Sequence, residues 1–436
     1  MATPAEHPER RELLAEAHAR PIVPLMVPQH PTHLALRVEA GQREAEMAHI
    51  SALCRNYGVD PPAPNVGHVF MEAAGFRLRW ERHTEFSSYT IFPDTRSVTP
   101  FQTNGLQAVP SEWLAQLPGQ MLVACHLSLV PAAGLQQHDD ECPQWVRENF
   151  EPRSVSGSHC AGKAATIWTD FKPDADGFTR FLVLDNGLEP AQAGRLVQRL
   201  LEIETYRLMA LLALPIVKRL MPEIMAMENT LGELTETMAS TRDSVQEQDL
   251  LKSLSALSAQ VERIIARNTY RLDAASAYST LVWRRIDALR EARVEGASTV
   301  REFMSRRLAP AMDTCRAIAG RLDRLSGRVS RTASLLRSRV DLALEAQNQE
   351  LLASMNRRTH LQLRLQGTVE GLSVLVLSYY GVGLVHYALS AFAAGGARIP
   401  VPLLTGLSIL VVVPAVAAAI FYIHRRVKRA DPGEGK

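Results

Sequence analysis

The chain has 436 residues, 46% of them hydrophobic, and sets 48 Lys and Arg against 46 Asp and Glu for a net charge of +2. That length allows two or three cores, and a balance so close to neutral argues against a partner bound through a basic surface, so no nucleic acid is expected. The mean hydropathy of -0.07 is that of a soluble protein, but it averages over a sharply divided sequence.

Residues 1–20 are polar and carry charges of both signs, without the apolar stretch or small-residue cleavage site of an export signal. Residues 6–19 read as a short helix stopped by Pro21, residues 32–38 as a strand and residues 41–57 as a helix. A loop with three prolines follows at residues 60–65. Strand patterns then recur at 68–71, 76–86 and 88–92, as in a meander, and again at 121–130, 164–171 and 178–184. A Pro-Asp-Ala-Asp-Gly turn joins the last two. The expectation for residues 1–187 is one cytoplasmic α+β region.

Beyond Leu188 the strand signal ends. No proline occurs between Glu223 and Ala309, or between Ala311 and Ile399. Leu250, Leu254, Leu257, Val261 and Ile264 step by four and three, and Ile318, Leu322, Leu325, Val329 and Leu336 repeat the habit. About three long helices in a coiled-coil-like bundle are expected over 188–367, with Pro215, Pro222 and Pro310 as kinks or turns. The last has no stop signal and runs into the apolar region, on the order of 120 Å from Ala311 to Ala394 at 1.5 Å per residue.

Residues 371–397 and 399–423 contain no Asp, Glu, Lys or Arg. Each exceeds the roughly 20 residues a helix needs to cross a bilayer, so a two-helix transmembrane hairpin is expected over 368–394 and 399–423, with a basic cytoplasmic tail at 424–436. Arg357, Arg358 and Arg364 precede it, and Arg425, Arg426, Lys428 and Arg429 follow, against the single Arg398 between the spans. That asymmetry places both termini in the cytoplasm, and a bacterial inner membrane is the expected location. Within the spans, Ser378, Tyr379, Tyr380 and His386 are the polar candidates, and Gly381, Gly383, Ala415 and Ala419 are small enough for close helix packing.

Candidate chemistry is sparse. Residues 157–164 nearly spell a phosphate-binding loop, but Ala164 replaces the metal-binding hydroxyl and a strand follows where a helix is required. Asp170, Asp174 and Asp176 resemble a calcium loop with Lys172 at its first ligand position, and read instead as a hairpin turn. The five cysteines show no C-x-x-C spacing, as in a reducing compartment. Period-two alternation over 80–86 puts Glu81, His83 and Glu85 on one strand face, with Trp80 and Phe86 on the other. Two carboxylates flanking an imidazole suit a cation or acid/base work; pairing with Arg77, Arg79 or a neighbouring helix explains the same pattern. No cofactor fingerprint is present.

Five stretches carry a resemblance: residues 16–21 (E-A-H-A-R-P), 80–86 (W-E-R-H-T-E-F), 169–180 (T-D-F-K-P-D-A-D-G-F-T-R), 198–206 (Q-R-L-L-E-I-E-T-Y) and 361–380. They are similar to the bacterial membrane-anchored family known as domain of unknown function 3422, which implies a membrane location and no catalytic residues. In architecture alone the chain also resembles CorA-type magnesium transporters, although their Gly-Met-Asn motif is missing and the loop holds Arg398 where theirs is acidic. Three functions are expected in this order. The first is a non-enzymatic homo-oligomeric membrane scaffold that binds a ligand or protein partner. The second is a CorA-like ion transporter with the first span lining a pore, and the third an enzyme using Glu81, His83 and Glu85.

Overall fold

The computed structural model describes residues 6–11, 13–14, 22–64, 66–135, 142–241, 243–394 and 400–430. These divide into two compact units, Met1–Thr241 with Leu250–Ala333, and Arg242–Asp249 with Ser334–Lys436. The first unit therefore takes in both the α+β region and much of the helical region.

Nine strands form a single sheet in the first unit: β1 (Thr32–Arg37), β2 (His68–Ala73), β3 (Phe76–Arg82), β4 (Ser87–Pro93), β5 (Gln120–Pro131), β6 (Ser156–Cys160), β7 (Ala165–Thr169), β8 (Thr179–Asp185) and β9 (Ala292–Arg293). Their order is β2-β3-β4-β1-β5-β8-β7-β6-β9, and only β5 with β8 is parallel. The meander expected over 68–92 is β2-β3-β4. Its second segment is shorter than the alternation suggested, because β3 ends at Arg82 and residues 83–86 turn, with His83 N donating to Phe86 O at 2.8 Å.

Alternation along the strands sorts the two faces by chemistry. Leu34, Leu36, Leu78, Trp80, Tyr89 and Ile91 point to one side and pack with Met47, Ile50 and Leu53 of α1 (Arg43–Asn56). Within this apolar layer the fully buried Glu46 accepts from Trp80 Nε1 at 3.1 Å, Tyr89 Oη at 2.9 Å and Arg82 Nη2 at 3.3 Å. A buried carboxylate persists only when so satisfied. The intervening residues His33, Arg79, Glu81, Ser88 and Thr90 face the other way.

Two near-motifs resolve as turns. Residues 157–160 lie in β6, and Ala161, Gly162 and Lys163 carry φ of 52°, 69° and 72°, so a hairpin to β7 replaces the helix a phosphate loop requires. Gly157 is where the β6 backbone meets a ring: a Cβ there would lie 2.3 Å from Trp168. Asp174 Oδ1 accepts from the backbone N of Asp176 and Phe178 at 3.0 and 2.9 Å, and Gly177 supplies φ 87°, so this segment is a side-chain-closed turn. Strand β6 and the short helices α2 (Ser111–Ala115) and α3 (Gln144–Asn149) had no sequence signal strong enough to read.

The helical region is more divided than expected. It comprises α4 (Pro190–Leu211), α5 (Ala213–Ser240), α6 (Ser244–Leu289), α7 (Val300–Arg307) and α8 (Ala309–Ala394). Pro222 is accommodated inside α5, whereas Pro215 and Pro310 lie in the first turns of α5 and α8, where a missing N–H breaks no helical bond. The proline-free stretch from Glu223 to Ala309 is nevertheless interrupted at Arg290, whose φ is 51°. Residues 292–293 then add to the sheet as β9, and Thr299 opens α7 by a capping box, its Oγ1 accepting from Glu302 N at 3.1 Å while Glu302 accepts from Thr299 N at 3.2 Å. The expected seams are buried: Leu250, Leu254, Leu257 and Val261 in α6, and Ile318, Leu322, Leu325 and Val329 in α8, with Ile264 half-buried. Arg321 of α8 donates to Glu228 of α5 at 2.9 Å, and Ser326 to Glu262 of α6 at 2.6 Å.

In the second unit α8 continues unbroken to Ala394, and α9 (Val401–Ala430) follows. Both have windows long and apolar enough to cross a membrane. The loop with Arg398 lies outside the described residues, as do residues 15–21 and 431–436.

Candidate functional site

The polar side of β1, β3 and β4 meets α4, and between them lies a cavity of about 240 Å³. Its sheet wall is His33, Arg79, Glu81, Ser88 and Thr90, its helix wall Gln198, Leu201, Glu202, Thr205 and Tyr206, and its rim His83 and Phe86 from the turn and Arg285 from α6. The helix residues recur at i, i+3 and i+4, which sets one largely polar stripe of α4 against the sheet. Two stretches of the resemblance, 80–86 and 198–206, thus face each other.

His33 spans this arrangement. Its Nδ1 lies 2.9 Å from Thr90 Oγ1 and its Nε2 3.0 Å from Thr205 Oγ1. Thr205 Oγ1 already donates to Leu201 O at 2.8 Å, so it accepts from His33, and the imidazole proton is on Nε2. Burial, then the nearby Arg79 and His83 charges, bring the His33 pKa down to about 3. The ring is a neutral crosspiece, not a general base at neutral pH.

The charged groups on the wall are paired. Arg79 Nη2 donates to Glu81 at 3.0 Å, Arg285 Nε donates to Glu202, and Gln198 Nε2 donates to the other Glu202 oxygen at 2.9 Å. Arg79 Nε is buried and has no hydrogen-bond partner, leaving one guanidinium donor unsatisfied at the wall.

Of the three residues proposed from the 80–86 alternation, Glu81 and His83 reach the cavity and Glu85 does not. Because the strand has ended, Glu85 is carried to α6, where Arg271 binds it through two nitrogens at 2.7 and 3.0 Å. Burial and the bonded Glu85 carboxylate push the Tyr278 phenol up. Phe86, expected opposite His83, stacks on it with ring centroids 4.2 Å apart. Among the described residues no group of three His, Cys, Asp or Glu is placed to hold a metal ion. None of the five cysteines is in a disulfide, and burial raises all their thiol pKa values. Sequence reading missed His33, Glu202, Thr205 and Arg285 and gave Arg79 only as a pairing partner of the strand face; the helical spacing of Gln198, Glu202 and Thr205 is the signal that could have found the α4 wall.

In the second unit, Ser378 is buried and its Oγ has no partner, whereas Tyr379 and Tyr380 are exposed. His386 Nδ1 lies 3.1 Å from Thr405 Oγ1 of α9, which itself donates to Val401 O, so the histidine donates and links the two helices. Gly381 permits their approach, since a Cβ would meet Val412 at 2.8 Å. Gly383 has open space around it and Ala415 and Ala419 are exposed, so the small-residue contact is narrower than expected. Arg357, Arg358, Arg364, Arg425 and Arg426 are exposed on their helices; Lys428 and Arg429 fall within α9, their side chains outside the described set.

No curated protein matches the chain. The family described as protein of unknown function DUF3422 matches residues 5–430, nearly the whole sequence, and the chain belongs to that family.

Proposed function

We propose that the protein is a binding protein without catalytic activity of its own, anchored in a bacterial inner membrane by α9 and the end of α8, with both termini in the cytoplasm. One observation carries the anchor: the apolar window of Val401–Ile423 has no buried residue. Leu403, Leu407, Ile409, Leu410, Val411, Phe421, Tyr422 and Ile423 are all exposed. At roughly 1.5 to 3 kcal/mol each, eight such side chains in water would cost on the order of 12 to 24 kcal/mol, at least as much as the whole stability of a typical domain. Lipid removes that cost.

The cavity is where this protein binds its ligand. Paired carboxylates and guanidiniums, hydroxyls and one unsatisfied Arg79 N–H favour a compact polar molecule with a hydrogen-bond acceptor, smaller than the drug-sized ligands of ~300 to 1,000 Å³ pockets. A neutral His33 engaged at both nitrogens supports binding over acid/base chemistry.

Two measurements test the reading. Reporters fused at residue 1, at Gly396 and at Lys436 should place only Gly396 across the membrane; a cytoplasmic Gly396 contradicts the hairpin. Native mass spectrometry of the detergent-released chain should find a small polar molecule that the cavity-filling variant Gln198→Trp lacks. The same bound complement in both proteins contradicts the cavity as the site.

A further inference from the structure

Between Val340 and Ser378, α8 has no buried residue. Up to Arg339, whose Nε pairs with Glu247 at 2.7 Å, the helix has a partner within its unit. The next 30 residues, 341–370, precede the apolar window and are exposed throughout except for half-buried Ser354 and Glu370. This stretch is about 45 Å of lone helix. A solitary helix in water is expected to be polar all round. Here Leu344 is 45% exposed, Leu351 57%, Met355 64%, Leu365 66% and Val369 62%.

These side chains are ordered. Leu344, Leu351, Arg358 and Leu365 recur every seven residues, and Asn348, Met355, Gln362 and Val369 follow each by four, which are the d and a positions of a heptad. The seam is continuous with Leu372 and Val376 in the apolar window. We infer that residues 344–376 are a self-association seam whose partner is a second copy of this chain, paired parallel and in register.

Three features select an identical copy. First, the flanking e and g positions are Glu345, Gln347, Leu352, Ser354, Thr359, Leu361, Gln366 and Thr368, with Glu345 the one charged residue among them, so no like-charged e–g pair opposes an identical copy. The charges Glu350, Arg357 and Arg364 all fall at the outer c position. Second, Asn348 occupies an a position, where one buried amide pairing with itself fixes register. Third, the area suffices: 33 residues at 1.5 Å make about 50 Å, and a face ~10 Å wide gives on the order of 500 Å² per copy, or about 1,000 Å² for the pair. That meets the ~1,000 Å² of a specific interface. Arg358 interrupts the seam, its stem covering apolar surface while its head reaches water, and weakens the pair. The parallel sense rests on the membrane anchor proposed above, because copies held by one hairpin in one bilayer point the same way.

Cysteine cross-linking in native membranes tests this with the full chain. Asn348→Cys should form a disulfide-linked dimer under mild oxidation at least about tenfold faster than Glu350→Cys, because only seam positions bring Cα atoms within the 4.4 to 6.8 Å a disulfide needs. The unsubstituted chain, its native cysteines mostly buried, sets the background. In detergent, light scattering should show the dimer fraction raised by Arg358→Leu and lowered by Leu351→Lys. Both side chains are exposed on the lone helix, so tryptophan fluorescence should be unchanged. Equal cross-linking at 348 and 350, none at 348, or a dimer fraction indifferent to both substitutions overturns the seam. A chain found in the soluble fraction that still cross-links at 348 loses the anchor and keeps the seam. One that stays in the membrane without cross-linking does the reverse.

Discussion

Lowering the pH from 7.5 to 5 should destabilise the first unit through His33. An unfolded histidine titrates near 6.5, whereas His33 in the folded protein is down at about 3 because it is buried beside Arg79 and His83. Below pH 6.5 the unfolded chain takes up a proton that the folded chain refuses, so stability is fully present above 6.5 and is lost as the pH falls toward 3. Between pH 7.5 and 5 the loss from this group is about 2 kcal/mol, and it reaches about 4 kcal/mol at pH 3. His126, down at about 4 through burial, contributes a comparable amount by pH 5. The five tryptophans lie at 80, 113, 145, 168 and 283, all in the first unit, so their fluorescence follows its unfolding in urea without interference from the apolar helices. His33→Gln should cost roughly 1 to 3 kcal/mol at pH 7.5, where the Thr90 and Thr205 bonds are disturbed. The same variant should lose about 2 kcal/mol less than wild type on going to pH 5. If the two proteins have parallel pH profiles, His33 is not a buried neutral crosspiece and the description of the cavity wall is wrong.

Glu46→Ala should destabilise by about 3 to 5 kcal/mol in the same urea assay, since it strands the Arg82 charge and the Trp80 and Tyr89 donors. A loss under 1 kcal/mol would mean that water reaches the carboxylate. Gly157→Ala should cost at least 1 to 3 kcal/mol, roughly the penalty of overpacking, because its Cβ falls 2.3 Å from the Trp168 ring; an unchanged urea midpoint refutes that packing. Arg271→Lys gives up the two-nitrogen grip on Glu85 and should loosen the 83–86 turn, read as faster amide hydrogen exchange there. Unchanged exchange would show that the turn is held otherwise.

How much of this was legible in the sequence depended on whether the signal was local. The alternation of Leu34, Leu36, Leu78 and Trp80 identified strands, and the four-three steps of Leu250 to Val261 identified a buried helix face, because a period reports which side meets a core. The break at Arg290 was not legible, since only a positive φ and two residues of strand pairing mark it, and neither leaves a composition signal. The Thr299 and Glu302 capping box was the readable clue to the restart. For the cavity, alternation grouped Glu81 with His83, and both line it, but it extended the strand through His83 and Glu85, the latter claimed by tertiary pairing with Arg271. His33, Thr205 and Arg285 come from β1, α4 and α6, and no pattern within one segment reveals that they converge. The lone helix was hidden for the opposite reason: its heptad looks like any buried seam until the exposure of Leu344 to Val369 shows that none of the described residues covers it.

Membrane residence is the claim on which the rest depends, and alkaline carbonate extraction of broken cells measures it. The full chain should stay with the sedimented membranes through the wash and come off only with detergent. Recovery of intact protein in the carbonate supernatant would contradict the account.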